Sequence, residues 1–332
     1  MTLPPLVRLA LWPLSLLYGQ VVKLRAALFE KGVLRRNRLN RPVISVGNLT
    51  VGGTGKTPMV IWLAERFLAE GKRVGILSRG YKGSRGTSDE IELMKHRLNN
   101  RAVFGVGADR FAEGKKLEST VDLFLLDDGF QHLQLARDAD ILLVDASQPL
   151  GRQQMLPTGR LREPVSAMTR ADVLLFTRTE TVPGTNAAVD RFQDFPVFAA
   201  STRLLGFRRF AAGDLPQSRE DLGGGPFYAF CGIGNPRAFF KDLTNWGIAL
   251  AGQCEFADHH RYDQRDAREL AAAAKVAGAK AMITTEKDAR NLEGVAFPDM
   301  PLFVVVIDLH IAKEDALLGL LREKMAARLR VV

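Results

Sequence analysis

Residues 43–70 narrow the possible folds more than any other part of the chain. An apolar run, residues 43–46, leads into Gly47-Asn48-Leu49-Thr50-Val51-Gly52-Gly53-Thr54-Gly55-Lys56-Thr57. A helical pattern starts at Thr57-Pro58, with Val60, Leu63, Ala64, Phe67 and Leu68 on one face and Gly71 at its end. Glycines between a buried strand and a helix let backbone N–H groups approach an anion, and the helix amino terminus adds a favourable field. In such a loop Lys56 reaches the outer phosphates of a nucleotide, and the Thr57 hydroxyl can ligate magnesium. The fit to the pattern G-x-x-x-x-G-K-S/T is incomplete, because Thr50 stands at the first glycine position. A tight strand-to-helix turn would explain the glycines alone. Strand, glycine loop, Lys-Thr and helix in this order favour a phosphate site formed by Gly52, Gly53, Thr54, Gly55, Lys56 and Thr57.

Further apolar runs bounded by turn residues predict strands at 74–77, 121–126, 141–144, 173–176 and 197–200. Such uninterrupted apolar strands belong to a parallel sheet covered on both faces. Asp127 and Asp128 end the second of these strands after four apolar residues, a costly place for two acids unless a cation compensates them. With the glycine loop present, a magnesium role outweighs a helix cap. The strand ending at Phe176 runs into Thr177-Arg178-Thr179-Glu180 rather than the Asn-Lys-x-Asp that reads guanine, which favours adenine.

An arginine- and glycine-rich stretch, residues 203–225, reads as a domain connection. Beyond it a second α/β pattern follows, with strands at 227–230, 281–284 and 302–307, a helix through 270–276 and a last helix at 315–329. The expected architecture is an amino-terminal segment 1–41, a P-loop NTPase-like parallel-sheet domain 42–202, a linker 203–225 and a smaller α/β domain 226–332.

The net charge of +9 is concentrated. Residues 1–41 hold eight basic side chains against Glu30 alone, so this segment supplies +7. It also holds a fourteen-residue apolar run, residues 9–22, short of the roughly 20 that span a bilayer. A basic cluster beside such a run suggests a helix lying on an anionic membrane surface, with Trp12 and Tyr18 at the boundary. The alternative is a helix packed on the protein's own core. No interleaving of aromatic and basic residues suggests nucleic acid. Two cysteines, Cys231 and Cys254, lack zinc spacing, and no export signal is apparent, which points to a reducing compartment.

On these grounds alone the chain is a P-loop kinase, of a lipid or of a soluble phosphorylated metabolite, or a nucleotide-driven targeting ATPase. Five blocks narrow the choice: residues 45–58, Leu126-Asp127-Asp128-Gly129-Phe130-Gln131-His132, Leu161-Arg162-Glu163-Pro164, Asp258-His259-His260-Arg261-Tyr262 and Thr285-Glu286-Lys287-Asp288. In this order they closely resemble the tetraacyldisaccharide 4'-kinase family. The resemblance implies phosphorylation, by ATP with Mg2+, of the 4'-hydroxyl of an acylated disaccharide 1-phosphate, a lipid A precursor, at the cytoplasmic face of the bacterial inner membrane. No feature of the sequence points to an obligate protein partner. Asp89 matches the catalytic aspartate and His259 its partner; Asp127 and Asp128 match the magnesium acids; Arg110, Arg162 and Glu163 match lipid-headgroup contacts.

Overall fold

The computed structural model describes residues 4–80, 89–148, 150, 153–181, 195–210, 222, 224–297 and 300–328. Two compact units emerge: Met1–Lys82, Lys95–Thr202 and Leu309–Val332 form the first, and Gly83–Met94 with Arg203–Asp308 form the second.

Among the described residues the first unit opens with helix α1 (Pro5–Glu30) and is built on seven strands. These are β1 (Val43–Asn48), β2 (Val74–Ser78), β3 (Val103–Val106), β4 (Leu123–Asp127), β5 (Ala139–Asp145), β6 (Val173–Thr177) and β7 (Val197–Arg209). They lie in the order β3-β2-β4-β1-β5-β6-β7, with parallel pairing throughout. Strands β1, β2, β4, β5 and β6 are buried along their whole length, as their largely apolar composition requires. Helix α2 (Lys56–Ala69) buries Met59, Val60, Ile61, Trp62, Leu63, Ala64 and Phe67. Helix α4 (Arg110–Leu117) follows β3, capped by Asp109, and α3 (Asp89–Arg97) precedes it.

Strand order reverses at β1, which lies between β4 and β5. In a parallel sheet the crevice beyond the carboxyl ends of strands at such a point is where ligands bind. The register Val46↔Asp127 brings the end of β4 beside the start of the glycine loop. Close packing holds the turn after β4 there: a Cβ on Gly47 would stand 2.6 Å from Phe130 Cβ and 2.7 Å from its backbone nitrogen.

The second unit carries β8 (Phe227–Cys231), β9 (Leu250–Glu255), β10 (Ala281–Thr285) and β11 (Leu302–Ile311), in the order β11-β10-β8-β9 and again parallel. Its helices are α5 (Pro236–Asn245), α6 (Gln264–Val276) and the short α7 (Glu286–Asn291). One core gathers Phe227, Ala229, Phe239, Leu243, Ile283 and Val305, and another gathers Phe230, Tyr262, Leu270 and Met282.

Residues 203–209, read from sequence as the start of a linker, continue strand β7, along which the chain passes from the first unit to the second. Most of the remaining proposed linker lies outside the described residues. Helix α8 (Glu314–Ala327), assigned from sequence to the second domain, clusters with the first unit. Ion pairs fix it there: Glu314 with Arg66, Arg322 with Glu70, and Lys324 with Asp172. Arg328, just beyond the helix, pairs with Asp138 at 2.9 Å.

Because the atoms facing Gly47 include backbone, they cannot yield as a flexible side chain would. Gly47→Ala is expected to cost about 1–3 kcal/mol and to lower the melting temperature by roughly 2–10 °C. Calorimetry on purified protein checks this; an unchanged melt would show that the turn shifts freely.

Candidate active site

The loop leaving β1 is anchored at both ends. Gly55 caps α2 with φ of 88°, a conformation open to glycine at little cost, so the turn into Lys56 needs no Cβ accommodated. Val51 is clamped by Arg160: its N–H donates to the Arg160 carbonyl (2.8 Å), and its carbonyl accepts from the Arg160 guanidinium (2.7 and 3.1 Å). Thr177 Oγ1 donates to the Thr54 carbonyl at 3.2 Å. Thr54 Oγ1 is buried and has no hydrogen-bond partner among the described residues. Thr50, standing where the consensus has glycine, bridges to Leu161 and accepts from Asn48 Nδ2 at its carbonyl (2.8 Å) and hydroxyl (3.2 Å). A glycine there would lose the hydroxyl contact.

Asn48, fully buried at the end of β1, organises the site. Its Oδ1 accepts from Lys56 Nζ at 3.3 Å and from Arg162 Nη2, and its carbonyl accepts from Gln131 Nε2 and Arg162 Nη2. Arg162 also binds Asp128 through two parallel hydrogen bonds of 2.7 Å, and Lys56 Nζ lies 3.6 Å from the same carboxylate. Asp128 itself sits in the left-handed region, φ 49°, which turns its side chain out of the strand direction. Burial opposes its charge, but the Arg162 hydrogen bonds and the Lys56 charge outweigh burial and hold its carboxyl down at about 2. Asp127, buried at the end of β4, accepts from Ser78 Oγ at 3.2 Å.

Arg110 is buried at the start of α4 and donates to the Ala108 carbonyl at 3.0 Å. Burial and then Arg79 lower its guanidinium from the ordinary value, while Asp128 and Asp127 act in the opposite direction. Glu163 is buried and paired: Arg170 donates to both of its oxygens (2.8 and 3.1 Å) and lies over the Phe130 ring at 4.6 Å. The first unit therefore gathers Lys56, Asp128 and Arg162 into one network. Asn48, Gln131 and Arg160, which sequence reading gave no role, complete it. The signal for Asn48 was available, since it is the one amide side chain closing an otherwise apolar strand.

Asp89 and His259 meet within the second unit, Asp89 Oδ2 lying 3.2 Å from His259 Nδ1. Asp89 begins α3. His259 has φ of 62° in the loop after β9, and its N–H donates to the Gly232 carbonyl at 3.1 Å.

Helix α1 packs beside the network. Positions 11, 15, 18, 19, 22, 26 and 29 face inward. Ser15 Oγ bonds Thr158 Oγ1 at 2.8 Å, Tyr18 donates to the Arg162 carbonyl at 2.9 Å, and Arg25 donates to the Gln131 carbonyl at 3.1 Å. The outer face leaves Leu6, Leu9, Trp12, Leu17, Val21 and Leu24 more than half exposed. Among the described residues no helix is long and apolar enough to cross a membrane.

A parallel sheet with a glycine loop between β1 and α2, a lysine at the helix start and acids at the end of β4 defines a P-loop nucleotide-binding protein. Comparison with known proteins makes this specific. Residues 7–326 match the family described as tetraacyldisaccharide-1-P 4'-kinase, and the chain belongs to that family. The tetraacyldisaccharide 4'-kinase of Geobacter metallireducens is 41% identical over 300 residues, 84% of this chain and 87% of its own. That of Geobacter sulfurreducens is 40% identical over 313 residues, 89% and 87% of the two chains. The fold is similar to the crystal structure of LpxK from Aquifex aeolicus in complex with ATP. The TM-score is 0.76 and the identity 31%, covering 96% of this chain and 99% of that one.

His132, half-buried beside this site, gives a pH signature. Burial first, then Arg110, Arg137 and Arg25, lower its imidazole from about 6.5 to about 4. The unfolded chain therefore binds a proton that the folded chain refuses between these values. Stability is full above about 6.5, falls as pH drops towards about 4, and levels below it. His132→Gln is expected to flatten this part of the stability curve, read by urea unfolding at stepped pH. An identical slope in both proteins would contradict it.

Proposed function

We propose that this protein transfers the γ-phosphate of ATP to the 4'-hydroxyl of a tetraacyldisaccharide 1-phosphate in lipid A biosynthesis, working at the cytoplasmic face of the bacterial inner membrane. The observation that carries this reading is the convergence of Lys56 and Arg162 on Asp128 beside the glycine loop, in a chain of this family whose Aquifex relative binds ATP. The loop amides and Lys56 cradle the nucleotide phosphates. Two carboxylates and a hydroxyl are the hard oxygen donors magnesium prefers, so Asp127, Asp128 and Thr57 would hold that ion. When bound, it offsets charge on the transferred phosphoryl group.

Asp89 accepts the proton of the attacking hydroxyl as that oxygen bonds to the γ-phosphorus and the bond to the β–γ bridging oxygen breaks, releasing ADP. His259 orients the Asp89 carboxylate. Arg110 and Arg162 serve the anionic headgroup as donors. Glu163, already held by Arg170, keeps lone pairs for a sugar hydroxyl. A transfer assay with radiolabelled γ-phosphate tests the whole reading. Label is expected in the lipid, and Lys56→Ala is expected to abolish most turnover while leaving the melt unchanged. Label reaching only water would instead favour a nucleotide-driven ATPase.

The membrane part rests on α1. Its outer leucines lie on the face opposite Ser15 and Tyr18, and the basic side chains of residues 1–41 flank them. Each base near an anionic surface contributes about 1 kcal/mol at low salt. Replacing Leu9, Leu17 and Leu24 together by Gln is expected to weaken cosedimentation with anionic vesicles. It should raise the KM for lipid in vesicles and leave the KM for ATP near its starting value. Equal sedimentation of both proteins would remove the helix from membrane docking.

A further inference from the structure

The block Thr285-Glu286-Lys287-Asp288 has no part in the reaction as described so far, yet it surrounds the loop that carries His259. Thr285 caps α7: its hydroxyl accepts from the Asp288 N–H at 3.1 Å and lies 2.6 Å from Asp288 Oδ2. Asp288, fully buried, accepts at Oδ1 from the Gly232 N–H (2.8 Å) and the Tyr262 hydroxyl (2.9 Å). Gly232 in turn accepts from the His259 N–H. Tyr262 at the end of the 256–262 loop and, through Gly232, His259 at its centre are thus tied to one buried carboxylate. His260 is fixed by Asp266 (2.9 Å) and by stacking on Phe256.

This frame aims Lys287 at the His259 ring. Lys287 Nζ donates to Asp258 Oδ1 at 2.8 Å and lies 3.4 Å from His259 Nε2, while Nδ1 of the same ring faces Asp89. Asp258 Oδ1 is itself 3.9 Å from Nε2, beyond hydrogen-bond reach. The lysine side chain is only 17% exposed, so it is held in this position.

We propose that Lys287 is a positioning residue that sets the tautomer of His259, its ammonium donating to Nε2 so that the ring proton resides on Nδ1 and is donated to Asp89. An ammonium has three N–H donors and no acceptor, and an ionised carboxylate only accepts. With a donor at one ring nitrogen and an acceptor at the other, one neutral tautomer satisfies both contacts. A proton on Nε2 would set donor against donor at Lys287, and in the neutral ring it would also set lone pair against carboxylate at Asp89. Asp258 anchors the lysine and would otherwise draw the Nε2 proton to itself. Since Nδ1 already carries its proton, the one taken from the acceptor hydroxyl stays on Asp89, and His259 orients without relaying. This inference rests on the proposed pairing of Asp89 and His259 in the reaction.

The test uses full-length protein labelled with nitrogen-15 in histidine, with ring nitrogens observed by long-range proton–nitrogen correlation at neutral pH and His259→Gln identifying the signals. The wild-type ring is expected to show a protonated Nδ1 and a bare Nε2. In Lys287→Met, freeing Asp258, Nε2 is expected to gain a proton and kcat to fall roughly tenfold or more, with the KM for ATP within about twofold. Lys287→Arg, still a donor without an acceptor, should restore the ring signature and most of kcat. A protonated Nε2 in the wild-type protein, or an unchanged ring in Lys287→Met, overturns the proposal. Full turnover in Asp89→Asn and His259→Ala would instead overturn the acid–base reading, and the ring spectrum would still decide the tautomer.

Discussion

The backbone of Phe130 lies against Gly47 with no room for a side chain between them, and the nucleotide site depends on that contact. A parallel sheet buried on both faces leaves polar groups only at its strand ends, where they must be paired or solvated. Pressing the turn after β4 onto β1 brings Asp128 to Asn48 and the first residues of α2. One carboxylate then meets two cations, and one buried amide serves the loop, the lysine and the arginine together. Part-buried cations and an anion that satisfy each other in this way fix geometry more than they add stability, because each gives up part of its water.

Much of the first unit's sheet is legible in the sequence for the same reason that the site is. Strands β1, β2, β4, β5 and β6 are buried on both sides, so each carries a run of apolar residues, and the ends of β1 and β4 are marked by residues of the site. Strands β3 and β9 lie at sheet edges, keep partly exposed positions, and show no such run. The second half of β7 exposes Arg203, Leu205 and Arg209 and buries Gly206 and Phe207, so it carries no apolar run, and its arginine and glycine content reads as a linker. Helix α8 reads from sequence as part of the second domain, whereas charge pairing across some 250 residues of chain, which no local pattern encodes, holds it to the first unit.

Within the site, legibility follows sequence distance. The glycine loop, Lys56 and the acids ending β4 are local features, each readable from its neighbours. The partner of Arg162 is not, since Asp128 lies 34 residues away and Asn48 lies 114 away. The departure at Thr50 has a physical explanation only in three dimensions, where its hydroxyl and carbonyl hold the Asn48 side chain and its backbone bridges to Leu161. The Asp89–His259 contact spans 170 residues, and in the sequence only the family resemblance links the two.

Helix α1 joins two demands that would otherwise compete. A helix with apolar residues on every side would be buried in a core or a membrane, whereas this one carries Ser15, Tyr18 and Arg25 on one stripe and leucines on the other. The polar stripe is spent on backbone and side-chain groups of residues 131 and 155–162, including the carbonyl of Arg162 itself. A helix attached only through apolar packing could slide or rotate with little penalty, but buried hydroxyls with specific partners allow one register. The proposed docking face is therefore held at a fixed rotation to the residue that grips Asp128. On the proposed reading a lipid acceptor presented at that face would meet Arg162 at a set depth; what Ser15 and Tyr18 fix is the rotation of the helix against residues 155–162.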